Sequence, residues 1–395
     1  MSAGGRVSER RRLILVHTIE AMMSAASNLL TIGVFFFMEH RFGWGLKSNF
    51  LLSAGLGAVY VLGALCADRL SRRVGRRGSL ARAYLVIAVI TLVAACMNVA
   101  WAYAIAVLIF AGTSATTWPI IENLVSSGEP DPHRLSRRLA VYNIVWAASG
   151  SIVIAANGLL IEVFPLGVFL ISSLIGMLAA GMARFAPIEP VEVADKAPSP
   201  EPEASLARQR VLALWLSRIS VPAMYLMIYS LAAMMPLLPV IEPLRPAVQT
   251  LVCSVWLVTR FIMFVVLGAT VFWHTRPRLL LGAGMGLLLS LLVMTLGPNL
   301  IWMMAGQLVF GVATGLIYSA SLYFGMVLSE GSTEHGGYHE ALIGFGMTLG
   351  PMVGAITQWI RPGEQGWAIA GIAGLIGISV AVASGASIRL RRGTG

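Results

Sequence analysis

Long apolar runs, interrupted by short polar or basic stretches, make up most of the chain. Windows of high hydropathy fall near 13–38, 49–67, 80–97, 101–124, 139–161, 165–185, 210–238, 247–271, 278–297, 299–328, 338–360 and 366–388. A helix needs about 20 apolar residues to cross roughly 30 Å of hydrocarbon, and these windows meet or approach that length. The ten-residue alternation of apolar and polar positions that marks a membrane β-strand is missing. The pattern predicts an all-α membrane protein of twelve transmembrane helices, spans 1 to 12. Several windows contain Gly or Pro, which membrane helices tolerate because neighbouring helices satisfy the freed backbone groups.

The pattern fails once for longer, between spans 6 and 7. Residues 187–209 hold five prolines and five acids and almost no large apolar side chain, the composition of a solvated linker. It divides the chain into an N-terminal six-helix bundle, 1–186, and a C-terminal one, 210–395, of equal length. The halves echo each other. At an offset of 200, Phe110, Trp118 and Asn123 meet Phe310, Tyr318 and Tyr323; at an offset of 196, Tyr142, Asn143, Gly150 and Gly158 meet Tyr338, His339, Gly346 and Gly354. Two pseudo-symmetric bundles in parallel repeat are a recurrent transporter plan, with the site at their interface.

Charge changes the picture in two ways. Charged residues are 12% of the chain, against about 25% in soluble domains, which excludes a soluble enzyme and a disordered chain. The net charge of +10 would suit nucleic acid if it were spread evenly, but it is not. Of the 28 Lys and Arg, 22 fall on the side of the N-terminus in a twelve-span topology, four on the other side (Arg41, Lys47, Arg245, Arg361), and two inside spans. The positive-inside rule then places both termini in the cytoplasm, and the basic loops face anionic lipid rather than nucleic acid. Arg6 to Arg12 before an apolar run looks like a signal peptide, but without a convincing cleavage site it reads as a retained first span. Cys66, Cys96 and Cys253 lie in apolar segments and read as buried hydrophobes, with no metal pattern.

Between spans 2 and 3 stands Gly63-Ala-Leu-Cys-Ala-Asp68-Arg69-Leu-Ser-Arg72-Arg73-Val-Gly75-Arg76-Arg77. It resembles the cytoplasmic signature of the major facilitator superfamily, roughly G-x-L-a-D-R-x-G-R-R, with about three extra residues before Gly75-Arg76-Arg77. The resemblance extends over the chain in architecture and implies the fold of that superfamily, with Gly63, Asp68, Arg69, Arg72, Gly75, Arg76 and Arg77 as gating residues. Physically, Gly63 lets span 2 approach a neighbour. Asp68 can accept from a helix N-terminus of the other half or pair with an arginine; either Arg72 or Arg76 fits the pairing role. Span 11 carries Gly346-Met-Thr-Leu-Gly350-Pro351-Met-Val-Gly354, similar to a glycine–proline signature that drug/proton antiporters carry on span 5; close packing also explains such a row.

Ionisable groups within spans are costly and so are functional candidates. Glu20 and Arg218 stand at matching depth in spans 1 and 7, and are expected to face each other across the cavity, either with Glu20 exchanging the proton or as a static ion pair that holds the two helices in place. Arg260, near the middle of span 8, is permanently charged and suits an anionic group. Glu122, near the end of span 4, is expected to neutralise Arg134 or Arg137. Trp118, Trp146, Trp256 and Tyr318 lie deep enough to stack on a substrate or pack in the core, whereas Trp44, Trp101, Trp302, Trp359 and Trp367 suit an interfacial belt. Asn28 and Asn143 are deep and polar. His335, His339 and Glu340 precede span 11; the two glycines between the histidines argue against a helix and hence against a metal site, and His339 and Glu340 are assigned to capping and gating.

The expected function is secondary transport of a small organic solute without ATP, since no GxxxxGK[ST] occurs, and without a cofactor. Proton-coupled efflux across a bacterial-type inner membrane is the first expectation, with uptake as the alternative. A membrane enzyme would show clustered catalytic ligands such as HExxH, which are missing, and a non-transporting sensor or scaffold would carry a soluble domain beyond its short tails.

Overall fold

Inside a bilayer no water is available to backbone groups, so every amide must find its partner within the segment, and the helix does this. A computed structural model describes residues 3–127, 129, 131–185, 187–188, 204–329 and 333–392; the expected linker falls mostly outside them, and its last residues are helical. Among the described residues, twelve helices are long and apolar enough to cross a membrane. They are span 1, Glu9–Phe42; span 2, Leu46–Val74; span 3, Arg76–Met97; span 4, Ala100–Ser126; span 5, Arg134–Val163; span 6, Gly167–Phe185; span 7, Val211–Leu237; span 8, Pro246–Ala269; span 9, Leu279–Leu296; span 10, Leu300–Gly325; span 11, Gly336–Ile360; and span 12, Gln365–Ile388. The protein is an integral membrane protein with the all-helical fold expected.

Three spans are broken near mid-depth. Span 1 stops at Thr31 and restarts at Gly33. Span 4 stops at Ala115 and restarts at Trp118, where Pro119 has no amide to continue the ladder. Span 8 is interrupted at Ser254. All three breaks surround one cavity, described below.

The two halves meet along two seams, span 2 against span 11 and span 5 against span 8, with span 4 also reaching span 11 and span 5 reaching span 10. Glycine sets how close these seams run. A Cβ added at Gly57 would lie 2.4 Å from the amide nitrogen of Thr348, and one at Gly158 would lie 1.8 Å from the carbonyl of Pro246. Both glycines join opposite halves. Polar side chains also tie the halves together: Asn49 donates to Ala233 O at 3.1 Å and Ser53 to Tyr229 O at 3.1 Å, joining span 2 to span 7, and on the seam of spans 5 and 8 Thr250 Oγ1 accepts from Gly158 N at 2.8 Å.

The outer surface is apolar, as lipid contact requires, and Trp101, Trp302, Trp359 and Trp367 lie exposed at the end opposite the arginine loops. Cys253 is buried as expected. Cys66 and Cys96 are exposed; an apolar segment in a membrane can face lipid as readily as the core, so composition alone does not bury them.

Candidate functional site

At the centre of the interface is a narrow cavity of about 100 Å³. Both halves line it. Span 1 contributes Ser24, Ser27, Asn28 and Thr31, the hydroxyl-rich turn before its break, and spans 4 and 8 contribute Trp118 and Trp256 from just after theirs. Three tryptophans and five tyrosines stand among the lining residues, and Arg260 is the cation among them.

Arg260 is 3% exposed. Its guanidinium lies 4.4 Å from the ring centroid of Trp146 and 4.6 Å from that of Trp256, over both indole faces. Trp146 belongs to the other half, so this cation–π contact crosses the interface. Trp146 in turn stands edge-on to Tyr318 at 5.2 Å and to Phe264 at 5.4 Å. The expected aromatic residues Trp118, Trp146, Trp256 and Tyr318, together with Asn28 and Arg260, are thus brought to one place.

Toward the basic end, below the cavity, a carboxyl oxygen of Glu122, one of Glu340 and a ring nitrogen of His339 lie within 4.8 Å of one another. All three residues are buried. Tyr60, from span 2, donates its hydroxyl to Glu340 Oε2. Ser321 and His339 Nδ1 are 3.2 Å apart. The set is assembled from spans 2, 4, 10 and 11, and therefore from both halves. Two carboxylates and an imidazole at this spacing can hold a proton in common or take a divalent cation.

Several expectations need correcting here. Glu122 does not neutralise Arg134, which pairs instead with Asp131 at 3.6 Å; Glu122 points inward, toward Glu340 and His339. Glu20 does not face Arg218. Its Oε2 is 2.7 Å from Nδ1 of His17, one turn earlier on the same helix, while Arg218 lies outside the cavity beside the exposed Trp215, 5.9 Å from its ring. Residues at equal depth need not share a face. Asn143 accepts from Trp146 Nε1 at 3.4 Å and borders a smaller cleft rather than the main cavity. The segment before span 11 is helical from Thr333. Its glycines let the helix press on the other half: a Cβ at Gly336 would sit 3.2 Å from Pro119 and one at Gly337 would sit 3.1 Å from Ala64 O.

The signature segment takes a definite form. Asp68 pairs with Arg72 one turn on, so Arg72 rather than Arg76 is its partner, and the two share a groove with Gly337 and Tyr338 at the start of span 11. Gly63 is pressed on Gly112 O of span 4, where a Cβ would come within 2.0 Å. Arg77 donates to Arg184 O at 2.7 Å, tying span 3 to the end of span 6. Gly75 joins spans 2 and 3 with φ of 74°, a left-handed value that suits glycine.

At the opposite end, Arg245 donates to Glu162 at 2.6 Å and Ala247 N donates to the other oxygen at 3.0 Å. The bond to Glu162 holds the Arg245 guanidinium above its ordinary value. The halves therefore touch at both ends of the central cavity. Tyr60, Tyr225, Tyr229 and Glu162 escaped the sequence reading, which placed Arg245 at the end opposite the basic loops without a partner; Tyr225 and Tyr229, one turn apart on span 7, carried the only periodic signal.

The sequence profile of the family described as Major Facilitator Superfamily matches residues 13–354 of this chain. No curated protein matches the chain.

Proposed function

The chain belongs to the major facilitator superfamily and is a membrane transporter of that type, and from this premise we propose that it moves a small organic solute across a bacterial-type inner membrane by alternating access coupled to protons. The basic loops and both termini face the cytoplasm in this reading. The observation that carries it is the pair of carboxyl groups beneath the cavity, Glu122 from one half and Glu340 from the other. Two carboxylates in apolar surroundings repel, and sharing a proton relieves the repulsion. Tyr60, Tyr142, Tyr225, Tyr229, Tyr318, His339 and Glu20 are titratable groups around them. While spans 4 and 11 are joined the proton is held; when rocking parts them, water reaches each carboxyl and the proton can leave. Glu20 and Arg218 give up this role because they do not meet.

Efflux is one direction of such a cycle, suggested by the likeness of span 11 to the antiporter row. Uptake is the second reading, and Arg260 favours it. Among the described residues no carboxylate pairs with Arg260; such a cation invites a negative solute, and a negative solute and a proton stabilise each other in one cavity, so they travel together.

Purified protein in sealed liposomes with a trapped pH dye tests both. With candidate solutes added outside and no imposed gradient, the lumen acidifies under co-transport and turns alkaline under exchange. Glu122→Gln and Glu340→Gln silence either signal. Solute flux with no linked pH change would overturn proton coupling, and no flux of any solute would favour a sensor or scaffold.

A further inference from the structure

Two arginines of this protein are equally buried, and the contrast between them is informative. Arg12 is 3% exposed and fully engaged: it bonds both oxygens of Glu9 at 2.8 Å and donates to Leu124 O at 2.7 Å and Ile188 O at 3.4 Å. That is how a structural guanidinium is held. Arg260 is also 3% exposed, yet among the described residues it makes no ion pair and no hydrogen bond, and its Nε is buried without an acceptor. Its contacts are the faces of Trp146 and Trp256. Ring faces steady the positive charge, but they accept no N–H in the plane of the fork. A guanidinium whose neighbours are ring faces keeps N–H donors available, and such a fork can bind a carboxylate with two parallel bonds.

The surroundings define the rest of the ligand. The lining is aromatic, with aliphatic Ile32, Ile228, Ile343 and Met347 and a few hydroxyls. Its one carboxyl, Glu340, accepts from Tyr60 and lies against Glu122 and His339, so the permanent charge offered to a ligand in this cavity is that of Arg260. We infer that the solute is a small organic monoanion with a flat, apolar or aromatic body, whose carboxylate docks on the edge of Arg260 between Trp146 and Trp256. This deepens the transport reading above and rests on it for the claim that the ligand is cargo. The ligand chemistry itself rests on the cavity alone.

The test measures binding to purified protein in lipid nanodiscs, with no gradient and no flux, so its failure is separate from failure of the transport reading. Benzoate, phenylacetate and indole-3-acetate are compared with their neutral amides and with benzylamine, by isothermal calorimetry and by quenching of tryptophan fluorescence. Saturable binding of at least one carboxylate is expected, at least tenfold tighter than its amide and with no binding of the amine. Arg260→Gln should weaken it at least tenfold, and Arg260→Lys should not restore it, because the fork is lost. Equal binding of amide or amine, carboxylate binding unchanged in Arg260→Gln, or no carboxylate bound by the wild type would each overturn the assignment. A ligand-free measurement guards against a misfolded variant. Removing an unpartnered buried charge should leave the melting temperature of Arg260→Gln equal to or above that of the wild type, with a monodisperse profile in gel filtration. A lowered melting temperature with no ligand present would mark Arg260 as structural and sink the proposal.

Discussion

Arg245 and Glu162 join the two halves at the end opposite the arginine loops, with a 2.6 Å bond from guanidinium to carboxylate. The same carboxylate receives the amide of Ala247, at the start of the helical segment Pro246–Cys253, where the helix dipole favours negative charge. Glu162→Gln keeps the shape and removes the charge. Because Arg245 is exposed, the effect is small, at most about fivefold in the balance of open and closed forms at this end. Spin-label distances across the mouth between spans 5 and 8 should lengthen in a larger fraction of molecules, and less so at high salt.

The acid pair and Glu20 should separate cleanly. Glu122→Gln and Glu340→Gln are expected to abolish accumulation driven by a proton gradient while sparing solute exchange at equilibrium. Glu20→Gln is expected to keep uphill transport. Its partner His17 rides on the same helix, so their separation does not change as the halves move, and such a pair cannot report the state of the cavity. Loss of uphill transport in Glu20→Gln alone, with exchange intact, would return the coupling role to span 1.

Gly158→Ala places a methyl group where the carbonyl of Pro246 already lies, 1.8 Å from the new carbon. Overpacking of this kind costs about 1–3 kcal/mol, and here it acts on the seam between spans 5 and 8. The apparent melting temperature should fall, and crosslinking between spans 5 and 8 should become less efficient. Gly282→Ala, with nothing within 4 Å, is the control and should change neither.

Orientation is tested by thiol labelling. Ser71→Cys and Ser199→Cys, in a chain whose Cys66, Cys96 and Cys253 are replaced by serine or alanine, should resist an impermeant reagent in intact cells and react after lysis. Labelling from outside would reverse the topology.

The positions of elements were legible in the sequence because hydrocarbon thickness imposes a length, and length is one-dimensional. Trp146, Trp256 and Arg260 could be picked out for the same reason: depth along a span can be counted. Facing could not be counted. In water an apolar stripe marks the buried side of a helix; in lipid both sides are apolar, so nothing in the pattern turned Arg218 toward Trp215 or Glu122 toward Glu340. Glycine misled in a related way. Gly336 and Gly337 read as a break before span 11, whereas the structure uses them to bring a continuous helix against Pro119 and Ala64.

The seam between spans 2 and 11 has a mechanical consequence. Gly57 meets the Thr348 amide, and Gly344 lies against the Val61 amide, where a Cβ would come within 2.9 Å, both near the middle of their spans. Surfaces this closely meshed cannot slip lengthwise by a helical turn without collision, but they can tilt. A fulcrum at half-height turns each bundle into a lever, so that widening one mouth narrows the other. Under the alternating access proposed above, mutual exclusion of the two openings would then follow from leverage, even with every latch at the rims weakened.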